Sequence, residues 1–101
     1  MRYRKKPIVI EAFCMTRATR EDNRDWPVWL DKAWNKPTGL PGSLWPATYA
    51  MTDGWSDLRI GTLEGVMAVG WGDYIIQGVK GEIYPCKAAI FHMTYEEVSD
   101  E

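Results

Sequence analysis

The chain is 101 residues long and has a mass of 11.6 kDa, the size of one domain (1–101) with room for only a small core. Hydrophobic residues at 46% and charged residues at 26% exclude a disordered polyelectrolyte, and a net charge of −2 excludes a dedicated polyanion binder or a nucleic-acid mimic. The longest apolar runs, Ile8 to Ile10 and Val66 to Val69, fall far short of the about 20 residues of a membrane span.

Residues 3–15 are expected to form a first strand, in which Ile8, Ile10, Ala12 and Cys14 alternate with Val9, Glu11, Phe13 and Met15. Arg2, Arg4, Lys5 and Lys6 precede it, either as phosphate contacts or as a solvated strand end. This basic start lacks an apolar segment long enough for a signal peptide, so none is expected, and Cys14 and Cys86 are expected to stay reduced. Residues 16–25 are polar and are expected to form a loop. Trp26, Trp29, Leu30, Ala33 and Trp34 then recur at helical spacing, predicting an amphipathic helix with Asp25 as its N-cap and Pro27 in its first turn. Lys36-Pro37 ends it. Three tryptophans on one stripe suit a ligand box or, more commonly, a core face.

Residues 36–57 carry Pro37, Gly39, Pro41, Gly42, Pro46 and Gly54 and read as a long irregular connection, with an extended piece at Trp45 to Met51. Trp45, Tyr49 and Trp55 within it either anchor the loop to the core or face a partner. From 58 onward a β-meander is expected. Leu58 to Thr62 and Val66 to Val69 form a hairpin about Leu63-Glu64-Gly65, and Gly70-Trp71-Gly72 breaks the chain. Asp73 to Gln77 and Glu82 to Cys86 form a second hairpin about Gly78-Val79-Lys80-Gly81, with Pro85 marking an edge. Residues 87–93 suit a helical turn and Thr94 to Val98 a last strand, whose Glu96 and Glu97 would meet the basic start if the two strands were neighbours.

Recognisable catalytic and metal chemistry is sparse. One His and two distant Cys make a zinc site unexpected. None of Ser43, Ser56 and Ser99 sits in a nucleophile elbow, and nothing in the sequence orients His92 toward Cys86. Gly70-Trp71-Gly72 lacks the third glycine of a dinucleotide fingerprint. Carboxylates for acid–base work would come from Glu64, Asp73 and Glu82, but Asp73 reads better as a turn residue. The 6 Trp and 5 Tyr suit base stacking, whereas an isoelectric point near 5.4 argues against nucleic acid. No cofactor, metal or catalytic residue is therefore expected.

Ile60-Gly61-Thr62-Leu63-Glu64-Gly65 and the run from Trp71 to Lys87 resemble a family of small proteins encoded by tailed bacteriophages and prophages. Its opening block, Tyr-Arg-Lys-Lys-Pro-(Ile/Val)-Val-Ile-Glu-Ala, is matched by Tyr3 to Ala12. Its closing block is matched at Cys86, Lys87, Ile90, Phe91 and Thr94 to Glu96, with Ala88 and Ala89 where Pro-Asp is usual, a change that removes a helix cap. The resemblance implies a phage or prophage source and a place in the host bacterial cytoplasm.

The expected architecture is α+β: a bent antiparallel sheet or half-open small barrel with one Trp-rich amphipathic helix. The expected function is a non-enzymatic accessory protein that binds a host protein, including a role in inhibiting host defence. Trp45, Tyr49, Trp55, Lys80, Glu82, Tyr84 and Lys87 form its candidate surface, since Trp and Tyr dominate interface energetics. Glu82, Tyr84 and Cys86 share a strand face that is either this surface or one more side of the core. A nucleotide-sequestering module, using Lys80, Lys87 or the Arg2–Lys6 cluster for phosphate, and a minor structural or assembly component are the alternatives. A homodimer through the edge near Pro85 is a further expectation.

Overall fold

The computed structural model describes residues 1–4, 6–46 and 58–98. Its first strand, β1 (Glu11–Cys14), is much shorter than the expected 3–15. A strand lasts only as long as its partner. Glu11 pairs with Gln77 at the end of β5 (Tyr74–Gln77), and no described residue pairs with residues 6–10.

A helix, α1 (Arg17–Glu21), replaces the loop expected over 16–25. Its signal is a capping box rather than an apolar stripe. The Thr16 hydroxyl accepts from the Thr19 N–H at 3.2 Å, and the Thr19 hydroxyl accepts from the Thr16 N–H at 2.8 Å. At the other end the Trp26 indole N–H donates to the Thr19 carbonyl at 2.7 Å. Helix α2 (Val28–Asn35) follows, but Pro27 rather than Asp25 is the N-cap, and no side chain caps it. The Pro27 carbonyl instead accepts from the N–H groups of Leu30 and Asp31 at 3.0 and 3.1 Å. The helix stops at Lys36, before Pro37, as the sequence predicts.

The tryptophan stripe belongs to the core. Trp26, Leu30 and Ala33 are buried, with Trp29 and Trp34 packed against the same cluster. Trp26 and Trp34 meet edge to face at 5.7 Å, and the Arg20 guanidinium lies 4.5 Å from the Trp34 ring centre.

The connection after α2 is stitched to a strand. The Gly42 N–H donates to the Gly61 carbonyl at 2.8 Å, and the Gly61 N–H donates to the Ser43 carbonyl at 3.0 Å. A Cβ at Gly61 would collide with the Leu40 carbonyl oxygen, so only glycine permits this approach. Strand β2 (Leu44–Pro46) takes up the first two residues of the extended piece expected at Trp45 to Met51; its remaining five lie outside the described residues.

Three further strands are β3 (Leu58–Thr62), β4 (Gly65–Val69) and β6 (Ile83–Cys86). Among the described residues the strands form two three-stranded antiparallel sheets, ordered β2-β3-β4 and β1-β5-β6, that do not close into a barrel. The domain is thus α+β, and the expected meander is divided at Gly70-Trp71-Gly72, which carries the chain from one sheet to the other. Asp73 secures that crossing. Its buried carboxylate accepts from the Gly70 N–H at 2.8 Å and from the Lys87 ammonium at 3.0 Å. The core lies between the sheets and α2, where Leu44, Leu58, Ile60 and Val69 meet Met15, Ile75, Ile83 and Leu30. Burying each such side chain contributes about 1.5–3 kcal/mol.

Helix α3 (Ala88–Thr94) forms where the helical turn is expected, without a side-chain cap at Lys87. No strand follows it among the described residues. Thr94 is its last residue, and residues 95–98 run without regular structure. Aromatic packing ties this segment down instead: Phe91 stacks on Tyr74 at 4.0 Å, and Tyr95, one turn later, contacts Phe91 at 5.1 Å.

Candidate functional site: a groove beside the free edge of β1

Side chains of β1, β5 and β6 alternate between two faces. Phe13, Ile75 and Ile83 point into the main core. The register places Cys14, Tyr74 and Cys86 across the other face, with Ile76 opposite Tyr84 beside them. Helix α3 covers this face, so Tyr84 and Cys86 are half-buried rather than openly wet. The two cysteines sit on the strands flanking β5, roughly two strand spacings or about 9–10 Å apart. That exceeds the about 7 Å between Cα atoms that a disulfide tolerates, and both thiols are free.

Burial, then a hydrogen bond with Tyr95, pushes the Tyr84 hydroxyl up to about 12. Burial, reinforced by the neighbouring Cys14 thiol, also raises Tyr74. These groups stay neutral and act as hydrogen-bonding struts. His92 packs edge-on against Tyr74 at 5.3 Å and Phe91 at 5.6 Å, while the Cys86 thiol points to the Lys87 carbonyl at 3.6 Å. Among the described residues no hydrogen bond joins Cys86 to His92, and no cluster of three metal-ligating side chains occurs.

A groove of about 850 Å³ opens along this aromatic cluster. Residues 7–12 form one wall and residues 94–98 the other, with Tyr74, Phe91 and His92 between them. Ile8, Val9 and Val98 on its walls are exposed at 51%, 74% and 54%, so the lining offers aliphatic surface to a ligand. Glu11, Glu96 and Glu97 make its rim acidic, and no Lys or Arg lines it among the described residues. The expected meeting of Glu96 and Glu97 with the basic start yields no ion pair among the described residues. Among the described residues β1 pairs with β5 alone, which leaves its other edge without a described partner.

The residues singled out from the sequence are dispersed over both sheets. Trp45 is half-buried in β2, opposite Arg59. Tyr49 and Trp55 lie outside the described residues. Lys80 is exposed in the β5–β6 turn, where its N–H donates to the Glu82 carboxylate at 3.0 Å. Lys87 is held by Asp73. None of the five described tryptophans is openly exposed, so among the described residues the exposed apolar surface is aliphatic rather than indole. The groove itself was hidden in the sequence: the alternation of residues 7–12 looks like a paired strand, and so does the run from Thr94 to Val98.

Comparison with protein-family models, with curated proteins and with solved structures finds no match to this chain. Among the described residues no helix is long and apolar enough to cross a membrane. Fold and site define a small α+β domain with an open groove of mixed apolar and acidic lining.

Proposed function

We propose that this chain is a non-enzymatic phage or prophage accessory protein of the host cytoplasm that holds a host protein, with components of host defence as the first targets to test. The observation that carries this reading is the groove, aliphatic on its walls, aromatic along its length and acidic at its rim. Its occupant is an extended polypeptide segment with aliphatic side chains and flanking basic residues. Such a segment would add beside β1, where main-chain hydrogen bonds give affinity and alternate side chains enter the groove. A nucleotide-sequestering role would draw on Lys80, Lys87 or the Arg2–Lys6 cluster; of these, Lys87 is already engaged by a buried carboxylate, and no Lys or Arg lines the groove among the described residues.

The test is capture from host lysate with the tagged full chain and its Ile8→Glu/Val9→Glu variant. Both positions are exposed, so the fold should persist by circular dichroism. The expected result is a host protein recovered by the wild type and reduced at least about tenfold by the variant, a change of about 1.4 kcal/mol. Equal recovery by both would overturn the reading. Quenching of tryptophan fluorescence by micromolar nucleotide would favour sequestration, and recovery of only its own copies would favour a structural or assembly role.

A further inference from the structure

We infer that β4 is a self-association edge, through which two copies of this chain pair antiparallel about a two-fold axis to join two three-stranded sheets into one. Among the described residues, β4 is an outer strand of its sheet, hydrogen-bonded to β3 alone, and it also packs near β6. Its sequence, Gly65-Val66-Met67-Ala68-Val69, contains neither a charge nor a proline. Edge strands of monomers are usually guarded by such residues or by bulges. Val66 is 60% exposed and Met67 42%, and Leu63 in the preceding turn is 91% exposed.

The backbone also offers donors and acceptors. The hairpin closes between Thr62 and Gly65. From there the antiparallel ladder alternates, leaving the N–H and C=O groups of Val66 and Ala68 directed outward. No described residue bonds to them outside the β3 ladder. A two-fold axis at Met67 would set Val66 opposite the partner's Ala68 and Met67 opposite the partner's Met67. Every apposed side chain is then apolar, and no like charges meet. The net charge of −2 per chain adds little repulsion. The other outer strands are less suited to this pairing. β6 contains Pro85, which has no N–H to donate, β2 ends in Pro46, and β1 carries the charged Glu11 and borders the groove. The sequence alone points to the edge near Pro85, whereas the burial pattern points to β4.

Pairing one short strand buries less than the about 1,200 Å² of stable complexes, so association should appear only at high concentration. Sedimentation velocity of the full chain from about 10 µM to about 1 mM is expected to show the mass rising toward twice 11.6 kDa. Met67→Lys, which puts like charges face to face, and Ala68→Pro, which removes an outward donor, should each stay monomeric, while Met67→Leu should associate like the wild type. If Ala68→Pro fails to fold, Met67→Lys decides, because that position is already exposed. The Ile8→Glu/Val9→Glu groove variant should still associate, which separates this inference from the proposed host contact. A wild type that remains monomeric throughout, or a Met67→Lys variant that associates normally, would overturn it.

Discussion

Asp73 and Lys87 form an ion pair whose two members do unequal work. The aspartate side chain is 8% exposed and also accepts from the Gly70 N–H, whereas the lysine side chain is 68% exposed. Removing the carboxylate strands a backbone donor at the crossing between the sheets; removing the ammonium deletes a mostly exposed group and leaves the carboxylate its bond from the Gly70 N–H. Asp73→Ala is expected to lose about 1–3 kcal/mol. Lys87→Ala should lose about 0–1 kcal/mol. Urea denaturation of both variants checks the order. Tyr84 makes a pH-dependent contribution. Its folded value of about 12 lies above the ordinary value of 10.0, so the folded state holds the proton more tightly. That stability is complete below about pH 10 and is lost as the pH rises through about 12. Tyr84→Phe should therefore show a shallower fall in Tm over this window than the wild type, with one fewer tyrosinate appearing in ultraviolet absorbance.

At the scale of elements, the two N-terminal helices reverse what their compositions suggest. α1 has no buried residue but two reciprocal caps; α2 has a buried stripe and no side-chain cap. Thr16→Ala should therefore cost about 1 kcal/mol. Asp25→Ala, at the cap expected from sequence, should stay within about 0.5 kcal/mol. Thermal denaturation of both variants tests this contrast. The apolar period made α2 legible, because its stripe meets the core directly. Nothing periodic announces α1, since it is held by its ends. The two hairpins were legible from their glycine turns. The strands expected at 3–10 and 94–98 were not excluded by their sequences; they lack a neighbour of matching length.

At the scale of the whole molecule, Gly61 shows how a local motif acquires a tertiary reason. In Ile60-Gly61-Thr62 it resembles a strand residue, yet its missing side chain is what lets the Leu40 carbonyl approach and the 36–43 connection bond to β3. Gly61→Ala is expected to destabilise the domain by about 1–3 kcal/mol through overpacking. Hydrogen exchange should speed up at Gly42 as well as around the substitution. The groove and the open β4 edge belong to the same scale. Neither is a motif, because each depends on which strand ends up without a partner.

The sequence by itself determined the α+β class, the Trp-rich helix and both glycine-turned hairpins, because periodicity and turn chemistry act between residues close along the chain. Tertiary structure alone decided that the strands divide into two sheets, that the described tryptophans turn inward and that aliphatic side chains line the free surfaces. Those outcomes depend on contacts between distant segments, and a strand's pattern records that one of its faces is apolar without recording what, if anything, will cover it.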